Sequence, residues 1–421
     1  MTAAYTSELA EALSADVLDR LLRYVRIDTQ SDRAHAQSPS TPGQLELGRL
    51  LVDELRGLGL SDAAQDANGF VTATLPGTVE GAPVIGLLAH LDTSPDESGA
   101  HVEPLVHRDY DGGVIALPRR GTVLDPAHIP ELTAKVGHDL VTTSGDTLLG
   151  ADDKAGMAEV MAAVAYLAAH PELPRPTLRV GFTPDEEIGE GAKLFDIDAF
   201  GAACAYTLDG SEAGEFTDET FTAASADVVI RGVEVHPGFA TGKLVNASRL
   251  AGRVLTALPA ELTPEATSER EGFIHVYSVE STAGEATIRT IVRDFDDGRL
   301  AEHVALLRRT AEEVVASDPR ARLEVEVKHQ YPNMRTFLDR HPGVSDAAEE
   351  ALRREGFQPK RVPIRGGTDG SILSARGLPT PNLFTGGHEY HSVREWASVQ
   401  DMASAAAVAV RLAGVWAERA G

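Results

Sequence analysis

The chain has 421 residues, with 64 Asp and Glu against 38 Lys and Arg and a formal net charge of −26. That charge repels phosphate backbones and anionic lipid, which argues against nucleic-acid and membrane partners. Cys204 is the only cysteine, so an intrachain disulfide and a cysteine-based zinc knuckle are excluded, and any metal site must use His, Asp and Glu. The length gives room for two to three domains. The N-terminal MTAAYTSELAEAL lacks a basic stretch followed by an apolar one, and no run of about 18 apolar residues occurs. The expectation is a cytoplasmic protein.

Helical spacing of apolar residues predicts a helix over Ser7–Val25. A second is expected after Thr41-Pro42, an N-cap followed by proline at the first helical position, with leucines from Leu45 to Leu58 as its stripe. Gly69–Leu75 and Pro83–Ala89 read as strands, the second apolar nearly throughout, as in a strand buried on both faces. Residues 94–145 are rich in Pro, Gly and Asp and read as a large loop or hairpin excursion. Its four histidines (His101, His107, His128 and His138) read as ordinary surface residues. A helix over Lys154–His170 follows, then strands at Thr177–Thr183 and Ala205–Leu208. This is an α/β pattern with a mainly parallel sheet.

From residue 220 to 332 the rhythm changes. A strand (Phe221–Ile230), a helix (Asn246–Leu258), two strands (Phe273–Ser281 and Glu285–Asp294), a helix (Gly298–Ser317) and a strand (Leu323–His329) give the order βαββαβ, that of a ferredoxin-like sandwich. The α/β pattern then resumes with a helix near Val344–Glu355, strands near Arg361–Ile364 and Thr380–Leu383, and a long Ala-rich helix, Val399–Ala420. The expected organisation is a catalytic domain over 1–219 and 333–421, interrupted by an inserted lid or dimerisation domain over 220–332.

Five segments carry candidate chemistry, each read as lying where a predicted strand ends, the place where open α/β sheets bind ligands. In Ala89-His90-Leu91-Asp92, His90 and Asp92 lie two apart and face one side of an extended chain. Gly150-Ala151-Asp152-Asp153-Lys154-Ala155-Gly156 opens a helix, where acids are also favoured by the helix dipole alone. Phe182-Thr183-Pro184-Asp185-Glu186-Glu187-Ile188-Gly189 sets three acids between a proline and a glycine. Adjacent carboxylates there could divide metal binding from general-base work. Leu208-Asp209-Gly210 puts an acid after an apolar strand. Asn382-Leu383-Phe384-Thr385-Gly386-Gly387-His388 runs a strand into a Gly-Gly loop ending in His. Singly, each also reads as an ordinary turn or surface group. Together, in a chain with no cysteine alternative, they suit a divalent metal, especially zinc.

The set AHLDTSPD, LLGADDKAG, FTPDEEIG, LDG, HPG, IRGGTDGS and PNLFTGGH closely resembles the peptidase T family, the tripeptide aminopeptidase branch of the dizinc metallopeptidases. The resemblance runs from about Leu21 to the C-terminus. It implies two Zn²⁺ per subunit, with Co²⁺ or Mn²⁺ as possible substitutes. His90 and Asp209 would hold one ion and Glu187 and His388 the other. Asp152 would bridge them, because the family's bridging Asp stands two residues before the Lys. A cis peptide at Asp152–Asp153 is implied by the same analogy. Asp92 would orient His90, and Glu186 would be the general base. Within Val235-His236-Pro237-Gly238, His236 would stabilise the oxyanion, in many relatives from the partner subunit of a homodimer. Arg293, Asn333 and Arg365 are candidates for the peptide backbone and its carboxylate, with Lys243 a weaker one. After His388 the chain reads Glu389-Tyr390-His391-Ser392, a departure from the family's Phe/Tyr-His-Gly run that makes His391 a stray neighbour of the site. The expected substrate is a small peptide. The alternative is a related dizinc amidohydrolase acting on dipeptides or N-acyl amino acids.

Overall fold

The most apolar runs of the sequence become the middle of one sheet. In the computed structural model, which describes residues 5–35 and 37–420, Ile85–His90 is buried at every position. It lies parallel to Leu178–Thr183 on one side and to Cys204–Leu208 on the other. Asn382–Leu383 extends the parallel set beyond Cys204–Leu208. Val71–Leu75 and Ala64–Gln65 continue the sheet antiparallel at one end, and Glu215–Thr217 with Lys360–Arg361 closes the other. The result is one eight-stranded sheet. Its parallel centre puts the carboxyl ends of the strands, and hence His90, Thr183 and Leu208, on one edge.

Three helices pack on one another: Glu8–Tyr24, Ala151–Ala169 and Val399–Glu418. Ser7 caps the first by accepting the Ala10 N–H at 3.1 Å. The other two are rich in buried alanine, which allows close helix approach. Gly156 shows how tight this packing is. A Cβ there would stand 1.8 Å from the Leu208 carbonyl oxygen, so only glycine lets the helix lie against that strand end.

The chain packs as two units. One comprises the chain through Asp218, Thr336–Val362 and the residues from Thr368 onward. The other comprises Glu219–Arg335 and Pro363–Gly367. In the second unit, four antiparallel strands stand in the spatial order Phe273–Ser281, Glu285–Asp294, Thr222–Arg231, Arg322–Tyr331. Helices Ala247–Ala257 and Asp297–Val315 cover one face, with Val228, Ile230, Leu250, Val254, Ile288 and Leu307 in the core. This is the ferredoxin-like βαββαβ arrangement.

Several elements differ from the reading of the sequence. The helix expected from Lys154 begins at Ala151, so it takes in both acids. The strand expected at Arg361–Ile364 is only Lys360–Arg361, and Ile364 makes an isolated bridge to Thr220. A short helix, Asp369–Ala375, had no apolar periodicity to announce it; Thr368 starts it by accepting the Gly370 N–H. Residues 94–145 are more ordered than a loop. Leu105–His107 pairs with Leu140–Thr142, which pairs with Trp396–Ser398, which in turn pairs with Gly387–His388. Tyr110, Leu117, Leu124, Leu132 and Trp396 form a small core beneath. His107 Nε2 lies 2.9 Å from Thr142 Oγ1 and His138 Nδ1 2.8 Å from Ser398 Oγ, so these two tie the excursion together. His101 and His128 are exposed, as expected.

Candidate metal centre

The ends of the strands Ile85–His90, Leu178–Thr183 and Cys204–Leu208 deliver side chains to the same place. His90 ends its strand with its ring almost fully buried. Its Nε2 lies 2.9 Å from Asp152 Oδ1 and 3.7 Å from Asp209 Oδ1. Its Nδ1 lies 3.0 Å from the backbone carbonyl of Asp92 and 3.4 Å from that residue's Oδ1. A proton on Nδ1 therefore leaves Nε2 free as a ligand atom. The Asp92 carboxylate also accepts the N–H of Glu186 at 2.9 Å and of Glu187 at 3.1 Å. One acid thus fixes both the histidine and the acidic turn.

That turn is held from below by Asp185. The Asp185 carboxylate, 1% exposed, accepts hydrogen bonds from Ser38 Oγ (2.9 Å), Ser40 N–H (2.9 Å), Ser40 Oγ (2.6 Å) and Gln44 Nε2 (2.8 Å). Its φ is 57°, the left-handed region that costs a non-glycine residue energy. Of the three consecutive acids, the first is therefore a fastener, and Glu186 and Glu187 are left to face the site. The sequence offered no reason to separate Asp185 from its neighbours.

Asp152 and Asp153 are joined by a cis peptide, and their φ/ψ values are not helical. The two adjacent side chains point to different partners. Asp152 presents Oδ1 to His90 and Oδ2, at 3.3 Å, to His391 Nε2. Asp153 turns inward, accepting the His90 N–H at 2.9 Å and the Gly156 N–H at 3.2 Å. The run Leu149–Asp152 is gripped by buried Glu395, which accepts the N–H groups of Leu149 (2.7 Å), Gly150 (2.8 Å) and Asp152 (3.1 Å). Lys154 donates from Nζ to the Ile27 carbonyl at 2.7 Å.

The histidine of the last segment requires a correction. His388, expected beside Glu187, is not brought there. Its ring stacks on Trp396 at 4.2 Å, and its Nε2 faces Glu212 Oε2 at 3.6 Å. The reason is strand pairing: His388 sits opposite Trp396 in the short ladder. Beyond it Glu389 and His391 both have positive φ, at 55° and 57°, and reverse the chain. This turn carries His391 to the carboxylates, with Nε2 3.0 Å from Glu187 Oε1. Tyr390, between the two histidines, donates from its hydroxyl to the Gly210 carbonyl at 2.8 Å and so fastens this turn to the one after Asp209.

Ligand atoms of His90, Asp152 and Glu187 fall within 4.8 Å of one another, as do those of His90, Asp153 and Asp209. Electrostatics favour a cation between them. Burial, with added repulsion from neighbouring acids, raises the carboxyl groups of Glu186 and Asp153 well above the usual range. Burial and Asp152 push Glu187 up to about 7. Burial works the other way on His391, but Asp152 and Glu187 outweigh it and push the imidazole up to about 11. Glu187 Oε1 is buried and has no hydrogen-bond partner among the described residues, although His391 is near. An orphaned carboxylate oxygen facing an imidazole nitrogen, within an all His/carboxylate donor set, fits a divalent metal. Asp152, with one oxygen toward each histidine, fits a bridging position.

Asp369, in the Ile364-Arg365-Gly366-Gly367-Thr368-Asp369 segment, also lies close enough to feel this charge. Thr183 Oγ1 donates to its Oδ2 at 2.6 Å, and burial pushes its carboxyl up to about 6. A cavity of about 450 Å³ opens beside His391, bordered by Glu97, Thr122, Val123 and Val393.

The remaining candidates lie in the second unit. His236 is exposed on a turn where its Nδ1 accepts the Gly238 N–H at 3.1 Å. Lys243 is exposed. Arg293 is buried and donates to the carbonyls of Ala224 and Val292 at 3.1 Å each. Asn333 accepts the Thr220 N–H at 3.2 Å and donates to the Phe295 carbonyl at 3.0 Å. The Arg365 guanidinium lies over the rings of Phe221 and Phe273 and donates to Thr267 Oγ1 at 2.8 Å.

A mostly parallel sheet whose strand ends gather an imidazole and several carboxylates, with a second imidazole brought to them by a turn, is the arrangement of a metallopeptidase site. Residues 147–414 match the model of peptidase family M20/M25/M40, and the chain belongs to that family. Within it the similarity is to the peptidases T. The peptidase T of Shouchella clausii is 48% identical over 409 residues, 97% of this chain and 100% of that protein. The crystal structure of aminopeptidase PepT from Bacillus cereus superimposes with a TM-score of 0.75 at 24% identity, over 96% of this chain and 99% of that one. A dinuclear metal-binding M20 peptidase of Bacillus subtilis does so with a TM-score of 0.65 at 16% identity, over 97% of this chain and 99% of that one. No helix among the described residues is long and apolar enough to cross a membrane.

Proposed function

We propose that the protein is a zinc-dependent aminopeptidase that removes the N-terminal residue of tripeptides. The observation that carries this reading is the convergence of His90, Asp152, Glu187, Asp209 and His391 with Glu186 beside them. In this reading His90 and Asp209 would hold one ion and Glu187 and His391 the other, with Asp152 shared between them. Metal held there would supply Lewis-acid polarisation of the scissile carbonyl and a more acidic water. Glu186, its backbone fixed by Asp92, takes the proton of the attacking water and passes it to the leaving amine.

Zinc is supported by the donor set of imidazole and carboxylate, which cobalt and manganese also satisfy. His236, Arg293, Asn333 and Arg365 stay in the reading as candidates for the peptide's carbonyl, backbone and carboxylate, and a homodimer through the inserted domain belongs to it. A cytoplasmic location accords with a chain that cannot form an intrachain disulfide. The test is metal analysis of the purified protein together with a panel of di-, tri- and tetrapeptides and N-acetyl amino acids, with and without chelator. Chelator-sensitive cleavage of free tripeptides is expected. Preference for N-blocked substrates would instead indicate an amidohydrolase.

A further inference from the structure

The segment Thr93-Ser94-Pro95-Asp96, directly after His90-Leu91-Asp92, supplies no ligand to the centre. It is nonetheless pinned in place. Gln30 Nε2 donates to the carbonyls of Ser94 at 3.0 Å and Glu97 at 2.6 Å, and the Asp96 N–H donates to Ser94 Oγ at 3.3 Å. This turn brings Asp96 Oδ2 to 3.3 Å from His391 Nδ1. The opposite ring nitrogen, Nε2, is the one that faces Asp152 and Glu187. On its far side Asp96 Oδ1 lies 3.3 Å from Arg33 Nη1. Arg33, Asp96 and His391 therefore form a line that ends at the carboxylates of the centre.

A ligating imidazole needs its second nitrogen protonated and pointed at an acceptor, which fixes the tautomer and the ring orientation. For His90 that acceptor is Asp92, whose backbone carbonyl lies 3.0 Å and whose carboxylate Oδ1 3.4 Å from Nδ1. For His391 the partner in reach is Asp96. The two histidines come from distant parts of the chain, yet one seven-residue stretch, 90–96, supplies the acceptor for each. His391 also needs such a partner more. It sits on a turn with positive φ and is 38% exposed, whereas His90 is locked inside a strand end.

We propose that Asp96 is the positioning residue for His391: it orients the imidazole through Nδ1 and so sets the affinity of one metal of the pair, with Arg33 as its counter-charge. This rests on the reading of His391 as a ligand. The test is calorimetric titration of chelator-stripped protein with Zn²⁺, on the wild type and on Asp96→Asn, Asp96→Glu, Arg33→Ala and His391→Ala. Asp96 is 46% exposed, so its variants are expected to fold, which thermal melts of the same samples check. In Asp96→Asn, one of two binding steps is expected to weaken by about 10- to 100-fold while the other stays unchanged. Asp96→Glu should recover part of the loss, and Arg33→Ala should shift the same step by less. Both steps within twofold of wild type in Asp96→Asn, with His391→Ala losing one step, would overturn the role of Asp96 alone. Two intact steps in His391→Ala, or fewer than two in the wild type, would overturn the ligand reading and this inference with it.

Discussion

The His391 imidazole reaches to 3.0 Å from the Glu187 carboxylate, from a turn on which His388, only three residues earlier, faces away toward Glu212. The two histidines are therefore separable by mutation. His391→Ala is expected to remove one of two metal ions per chain and to abolish most turnover. His388→Ala removes a ring stacked on Trp396 and should lower thermal stability while leaving two ions bound. Metal stoichiometry by elemental analysis distinguishes them. Loss of an ion in His388→Ala, with none lost in His391→Ala, would reverse the assignment.

This exchange of histidines also marks the limit of what the sequence could convey. His90, Thr183 and Leu208 end apolar strands whose burial on both faces leaves a plain signature, so the segments carrying His90, Glu186, Glu187 and Asp209 were legible. The ferredoxin-like order was legible for a similar reason, since Phe273–Ser281 and Glu285–Asp294 alternate clearly around a short turn. After residue 386 periodicity no longer guides the eye. Alternation tells which side a residue faces only while the chain stays extended, and Glu389 and His391 both have positive φ. Nor could spacing separate Asp152 from Asp153, because adjacent residues with non-helical φ/ψ follow neither helical nor strand periodicity. Asp96 gave no signal of its own, since its partner His391 lies 295 positions away.

Glu186 is expected to be needed for turnover but not for metal. Its N–H bonds to Asp92, yet its side chain makes none of the short approaches to His90 or His391 that Asp152 and Glu187 make. Glu186→Ala should keep both ions and lose about 10²- to 10⁴-fold in kcat, the range for removing a general base. A kcat near that of the wild type would reject the assignment.

Asp185 should matter for stability first and for activity as a consequence. Asp185→Ala leaves the Ser40 N–H and the Gln44 amide without their buried acceptor. Each buried donor left unpaired costs about 1–3 kcal/mol. A loss of about 2–4 kcal/mol is expected in urea unfolding. Because the same turn carries Glu186 and Glu187, kcat should fall even at temperatures where the variant is fully folded. An unchanged urea midpoint would show that the turn does not depend on this anchor.

Glu159 gives the pH dependence its sign. It lies wholly buried in the helix Ala151–Ala169, and neither carboxylate oxygen has a hydrogen-bond partner among the described residues. Burial, reinforced by the charges of Asp153 and Asp401, holds its pKa well above the usual carboxylate range. The folded protein thus keeps a proton that the unfolded chain releases. The stability tied to that proton is fully present below the unfolded pKa of about 4.3 and is lost as pH rises through the folded value. Glu159→Gln keeps the shape and removes the titration. Relative to wild type, the variant should therefore gain stability as pH rises above about 5, until the folded carboxyl itself ionises. Urea midpoints of both proteins across that range measure the difference. A gap that stays constant with pH would mean that Glu159 ionises alike in the folded and unfolded chains.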